Sequence, residues 1–502
     1  MRGAALALLA AAVVAVSLHW GSFVAGGSDS YCYLHQAQRW ATGRLQVPEP
    51  LALEAPWPDA PLTFAPVGHV PSPTVPGAIV PVCPAGLSIA MAPFVALGGV
   101  RAAFLLVPLF GALLVGATFT VASRVSPRIG TACAFVVAAS PIFLYQLVQP
   151  MSDVPAAALW MLAVALVTGT GRRDAAIGGL AAAAAVVVRP NLVPLAVPLA
   201  LFLLLRPERS WRERLPSSAA FAACAALGPL AVAWIQSSFY GSPLNSGYGT
   251  LDAIFSADRI VPNATRYVSW LAETQTPVWL LAGAAPILLP GALTMLLSAL
   301  FLVNLACYLS YVVFDDWSFL RFLLPTLPLL MILAVASIDA IARRAVPWTA
   351  RPMVAIVSAM LVMTYVREAE VRNVFRLHLL EARYERAGTF VDRRLPANAI
   401  VITSAESGSV RFYSGRKTLV WDGLDPAWLD RAVAYLRMNG FEPFLLLETR
   451  EEPLFRRRFA SSPLGALDWP PAAEVASRVR IYRPDDRERY FKGSQLPVEY
   501  VP

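Results

Sequence analysis

At 502 residues, 57% of them hydrophobic and only 15% charged, with a mean hydropathy of +0.56, the chain is too apolar for a soluble protein, where about 25% of residues carry charge. Apolar runs of about 20 residues, the length that crosses a bilayer, recur from the N-terminus to residue 366 and mark a polytopic membrane protein. The net charge of +8 does not read as a nucleic-acid footprint, because the arginines gather at the ends of apolar runs, where they report topology.

The first run, 4–24, follows Arg2 in the manner of a signal peptide, but it is long enough to span and more spans follow, so an uncleaved first helix is expected. Past it comes Gly26-Gly27-Ser28-Asp29-Ser30-Tyr31-Cys32-Tyr33. Asp29 falls at the membrane–water boundary, where a carboxylate facing lipid is costly and a functional role is the first candidate. By position alone it fits a simple helix exit equally well. The outer loop, 25–101, is rich in proline, yet Trp57, Phe64 and Ile79 within it need a surface to pack on, which excludes a disordered linker. Within this loop, 29–40 has helical spacing, with Tyr33, Ala37 and Trp40 on one side. The segment 84–98 is apolar but short, and reads as an interfacial or re-entrant helix.

Loop charges test that reading. If 84–98 does not cross, helices at 102–123, 130–149, 155–170, 175–188 and 191–205 alternate so that Arg124, Arg128, Arg172, Arg173, Arg206, Arg209, Arg212 and Arg214 all land inside. A helix at 217–236, a pair split at Pro290-Gly291, one entered through Ser318-Phe319-Leu320-Arg321-Phe322-Leu323-Leu324-Pro325 and a last one at 351–366 bring the count to about eleven. The N-terminus is then cytoplasmic and the C-terminus outside. The membrane domain covers 1–366. From 367 to 502 charge rises, and strands at 398–404, 416–421, 442–447 and 478–482 alternate with helices at 372–394, 426–439 and 451–460. That alternation predicts an extracytoplasmic α/β domain. Ser407-Gly408-Ser409 and Ser414-Gly415-Arg416-Lys417 read as ordinary turns rather than phosphate loops.

Cys133, Cys224 and Cys307 lie in apolar runs and read as small buried hydrophobes. Cys32 and Cys83 share the outer loop and can pair if that side is oxidising, although their spacing does not require it. No His/Cys metal motif occurs, and His69 reads as a loop residue. The topology carries Asp29, Asp153, Arg189, Asp315, Asp316 and Arg321 to one external face, each at a helix mouth. Two carboxylates and two arginines at headgroup depth suit an anionic lipid-phosphate head. Arg321 is the leading phosphate ligand, since a guanidinium binds phosphate through two donors, with Arg189 second.

The acid after the first helix, the outer-loop stretch Pro81-Val82-Cys83-Pro84-Ala85-Gly86-Leu87, Ser152-Asp153 and Arg321-Phe322-Leu323-Leu324-Pro325 together resemble the GT-C glycosyltransferases of family 39 type, which include protein O-mannosyltransferases and lipid A aminoarabinose transferases. The likeness covers 1–366. It implies transfer of a hexose or pentose from a polyprenyl-phosphate donor to a lipid, glycan or protein acceptor at the outer face of a bacterial-type inner membrane, with inversion, as part of cell-envelope chemistry. On that footing Asp29 is the general base and Asp153 orients acceptor or sugar. Arg321 and Arg189 hold the departing phosphate, and Tyr31 and Trp57 are stacking contacts for the sugar. The resemblance leaves a divalent metal open, because many members carry Asp-Glu where this chain has Asp29-Ser30, and no ligand set is designated. A transporter or flippase, or a membrane assembly protein with an external binding domain, is the alternative. Nearly pure Ala, Leu and Val in the helix interiors, without an internal repeat, argues against transport.

Overall fold

The computed structural model describes every residue except Met1, Thr170 and 207–209, so Arg209, expected at the inner face, lies outside the described residues, as does the Arg2 side chain. The described chain divides into two compact units: Met1–Gly21 with Pro84–Ser237 and Ser242–Leu377, and Ser22–Cys83 with Ser238–Gly241 and His378–Pro502.

The first unit is helical. Among the described residues six helices are long and apolar enough to cross a membrane, or up to eight if each of two bent pairs is one span. Asp153–Val167, Pro190–Leu205 and Pro277–Leu288 are shorter apolar helices. The helix Ala85–Ala103 meets the length and composition for a span, where the sequence suggested something shorter. It is interrupted at Gly99, whose φ of 71° and ψ of −178° take the backbone out of the helix, so the regular part does end near residue 98. Both bent pairs break at a proline, which lacks the N–H a continuous helix needs. Gly130–Ala139 and Pro141–Leu147 meet at 63°, and Trp317–Leu323 and Leu327–Ala345 at 85° across Pro325. The second bend puts Arg321 on a short 3-10 turn instead of in the long helix.

The second unit is built on two sheets. Strands β1 (Val47–Pro48), β2 (His69–Pro71) and β3 (Ala78–Pro81) form an antiparallel sheet in the order β1-β3-β2. The larger sheet has β4 (Ala399–Thr403), β5 (Lys417–Val420), β6 (Glu442–Glu448), β7 (Ala473–Val475), β8 (Val479–Tyr482) and β9 (Glu499–Val501) in the order β5-β4-β6-β8-β7-β9. The β4–β5 and β4–β6 pairs are parallel, and β6–β8 is antiparallel. Four of these strands match the alternation read from the sequence. The short β7 and β9 carry too little pattern to show there. Ser407-Gly408-Ser409, expected as a turn, opens the helix Ser407–Ser414 instead, while Gly415 does turn, with φ at 67°.

The proline-rich loop folds with the C-terminal sheet rather than as an appendage of the membrane helices. Its Leu51, Trp57 and Phe64 join Ile400, Leu419 and Leu445 in one apolar core. The Trp57 indole N–H donates to the Thr63 hydroxyl at 3.0 Å, so the ring is buried without leaving its polar atom unbonded. Glu49, 2% exposed, accepts from Arg411 at 2.8 Å and from Lys417 at 2.6 Å. Cys32 and Cys83 are disulfide-bonded, closing the loop across a separation of 51 residues. Replacing Glu49 by Ala leaves Arg411 facing an apolar core edge without its counter-charge, which we expect to cost about 3 kcal/mol. Melting of the detergent-solubilised protein and faster proteolysis within 22–83 measure the loss.

Candidate active site

In the first unit the helix Asp153–Val167 opens on Asp153, where a carboxylate complements the positive end of the helix dipole. The side chain is completely buried. Its Oδ1 accepts from Arg189 Nη2 at 2.5 Å, and its Oδ2 has no hydrogen-bond partner among the described residues. A buried carboxylate in an apolar bundle is tolerable only with such a counter-charge. Arg189 sits where the helix Arg172–Val188 ends. Its backbone is extended (φ −144°, ψ 96°) because Pro190, which begins the next 3-10 turn, disfavours helical geometry at the preceding residue.

Arg189 Nη1 also donates to the carbonyl of Arg321 at 3.3 Å, and its guanidinium lies 5.6 Å from the Phe322 ring centre. The Arg321 guanidinium stands 5.1 Å over Phe319 and 5.5 Å over Phe322. Phe322 stacks in parallel on Tyr308 at 4.9 Å, and Phe319 on Phe314 at 3.8 Å. Aromatic faces attract guanidinium groups and limit their rotation while leaving N–H edges able to donate. Asp153 thus bonds Arg189, which reaches the Arg321 backbone, and the two guanidinium groups lie 5.6 Å and 5.5 Å from the Phe322 ring centre. Exposed Asp315 pairs with half-buried Arg266 and Asp316 caps the Trp317–Leu323 turn by accepting from Ser318 N–H at 2.8 Å. The aromatic platform was not legible as such: only Phe319 and Phe322 are local to Arg321, whereas Tyr308 arrives from another helix.

Asp29 belongs to the second unit, where it is the first residue of the helix Asp29–Thr42 and half-buried. The two expected sugar contacts are enclosed. Tyr31 is 1% exposed and Trp57 3%. Tyr31 stacks on His35 at 5.3 Å and covers Gly408, where an added Cβ would come within 2.6 Å of the ring's Cγ. Both rings serve packing within this unit, because the local pattern of an interfacial aromatic is the same as that of a core aromatic. His69 is in β2, not in a loop. Arg39 Nε donates to His35 Nε2 at 3.2 Å, and His35 Nδ1 lies 2.9 Å from His69 Nε2. An accepting Nε2 on His35 assigns its proton to Nδ1, which then donates to His69. Burial, then the Arg39 and Arg411 charges, lowers the His35 pKa to about 3, and burial with the neighbouring His35 lowers His69 well below its usual value. Among the described residues no three His, Cys, Asp or Glu side chains gather where they could hold a metal ion.

No family model matches the sequence, and no curated protein matches it either. The fold, however, is that of the GT-C glycosyltransferases. ArnT from Cupriavidus metallidurans bound to undecaprenyl phosphate superposes with a TM-score of 0.57 at 11% identity, over 95% of this chain and 97% of that one. The oligosaccharyltransferase AglB from Archaeoglobus fulgidus, in complex with an inhibitory peptide and a dolichol-phosphate, matches with a TM-score of 0.57 at 10% identity, over 92% of this chain and 71% of that one. The mycobacterial arabinofuranosyltransferase AftD matches with a TM-score of 0.52 at 17% identity, over 88% of this chain and 36% of that one. Each is a similarity of fold, and it bears out the resemblance to GT-C enzymes at the level of the fold.

The second unit carries two opposed pH dependences. Glu406 is wholly buried; burial, partly offset by the Ser409 hydroxyl, raises its pKa from 4.5 to about 8. Its folded form keeps a proton that the unfolded chain releases, so stability falls as pH rises from 4.5 to about 8. His35 and His69 refuse protons that the unfolded chain binds, so their contribution is lost as pH falls below 6.5. Glu406→Gln, which stays neutral, is expected to flatten the alkaline decline in melting temperature while leaving the acidic one in place.

Proposed function

We propose that this chain transfers a sugar from a polyprenyl-phosphate donor to a hydroxyl-bearing acceptor on the extracytoplasmic side of the membrane, with inversion at the anomeric carbon. The observation that supports it most directly is that Arg189, held by buried Asp153, and Arg321 both bring their guanidinium groups to the Phe322 ring, in a chain whose fold matches enzymes bound to undecaprenyl phosphate or dolichol-phosphate. In this reading the membrane helices up to residue 366 hold the lipid donor, and the sheet domain lies outside an inner membrane, with the N-terminus cytoplasmic.

The phosphate departs without being protonated, so one carboxylate base is enough, in contrast to the acid–base pair of a glycosidase. Asp29 accepts the acceptor's hydroxyl proton as the new C1–O bond forms and the bond to the phosphate oxygen breaks on the opposite face. Arg321 and Arg189 donate to the leaving phosphate, whose charge grows during the step. Asp153, fully buried and bonded to Arg189, acts through that arginine rather than by touching the sugar. Sugar and acceptor contacts come from residues other than Tyr31 and Trp57, whose rings are enclosed.

Asp29→Asn should lower transfer from undecaprenyl-phosphoryl sugars about 10²–10⁴-fold while leaving binding of undecaprenyl phosphate intact. Full transfer by this variant would refute the base assignment. Arg321→Ala should weaken undecaprenyl phosphate binding about 10–100-fold, the worth of a charge-assisted hydrogen bond of about 1.5–3 kcal/mol. Arg189→Lys should also weaken it, because a lysine can bond either Asp153 or phosphate but not both in the same fork. Scintillation binding to protein in nanodiscs reads both.

A further inference from the structure

Asp29 is presented by the turn Ala25-Gly26-Gly27-Ser28, and that turn rests on side chains more than 350 positions later in the same compact unit. Gly26 is pressed against Tyr384: a Cβ added there would lie 2.9 Å from ring carbon Cε2, nearer still to Cδ2, and 3.0 Å from the Glu381 carboxylate. Gly27 has φ at 56°, with the Tyr384 hydroxyl 3.6 Å from where its Cβ would stand. Ala25 N–H donates to the Tyr413 hydroxyl at 2.8 Å. The first helical turn closes on this seat, with Tyr31 N–H donating to the Gly26 carbonyl at 3.3 Å and Cys32 N–H to that of Ser28 at 3.0 Å.

Tyr384 is itself held. Arg383 lies 4.1 Å over its ring centre and donates Nη2 to its hydroxyl at 2.8 Å. The same guanidinium donates Nε to Glu448 on β6 at 3.0 Å and Nη1 to the Leu380 carbonyl at 2.7 Å. The ring is thus tied to the sheet and cannot turn away from Gly26 without breaking a charge-assisted bond inside a buried cluster.

We infer that Tyr384, locked by Arg383, is a positioning residue for Asp29: it fixes the Gly26–Gly27 backbone and with it the direction in which the carboxylate is offered to the acceptor hydroxyl. This rests on the reading of Asp29 as the base. It gives the C-terminal domain a direct part in the reaction, because misplacement of a reacting group by about 1 Å costs roughly 10²-fold.

The test uses full-length protein in nanodiscs with undecaprenyl-phosphoryl sugars, and compares Gly26→Ala, Tyr384→Ala, Tyr384→Phe, the Gly26→Ala/Tyr384→Ala pair and Asp29→Asn. Expected for Gly26→Ala is a kcat loss of about 10²-fold with donor KM and undecaprenyl phosphate binding unchanged, and partial recovery in the pair, where the smaller side chain makes room for the new methyl. Tyr384→Phe should keep most activity, because the ring that packs on Gly26 is retained. Hydrogen exchange should lose protection in 22–33 in Tyr384→Ala while the β4 and β6 amides stay protected, which reports the seat without depending on turnover. Wild-type kcat in Gly26→Ala, or unchanged exchange in 22–33 in Tyr384→Ala, would overturn the inference. If Asp29→Asn alone kept full activity, the base reading would fall instead.

Discussion

The second compact unit depends on one charge placed where water cannot reach it. Glu49 lies in the proline-rich loop just after β1, and its carboxylate is buried between Arg411 and Lys417 of the C-terminal segment. A buried carboxylate with both partners present is tolerable, and with neither it is costly. The loop therefore docks in one place. Trp57 and Phe64 then fill the core over Ile400 and Leu419, and the Cys32–Cys83 bond closes the other end. The stretch Gly26–Asp29 inherits its position from this docking.

The first unit meets the same constraint in a more demanding medium. Asp153 is wholly buried among apolar helices, and the fold answers with the guanidinium of Arg189, released from its helix by Pro190. Arg189 then reaches the backbone of Arg321, whose own placement depends on the 85° break before Leu327–Ala345. Breaking two helices at prolines is what lets charged side chains gather at helix mouths while the interiors stay apolar. The ion pair that makes Asp153 tolerable also fixes the guanidinium of Arg189, which in the proposed reading faces the lipid phosphate.

Much of this was readable along the chain. Asp153, Arg189 and Arg321 were legible because a charge beside a long apolar run is conspicuous, and loop parity carried them to one face. The strands β4, β5, β6 and β8 were legible from alternation. Tyr31 and Trp57 were misread, because an aromatic near a membrane boundary looks the same whether it faces sugar, lipid or a protein core. The seat of Asp29 on Tyr384 was beyond reach, since nothing local to Gly26 distinguishes it from any other turn glycine.

The sequence by itself determined that the chain crosses a membrane repeatedly, that an α/β segment follows, and which charges stand at helix ends. Those properties follow from hydropathy, periodicity and proline, which act over a few residues at a time. Only the tertiary structure decided that the proline-rich loop belongs with the C-terminal sheet, that Asp153 is bonded to Arg189, and that Gly26 lies under Tyr384. These depend on which distant groups share a volume without water, and desolvation, unlike helical spacing, has no period along the chain.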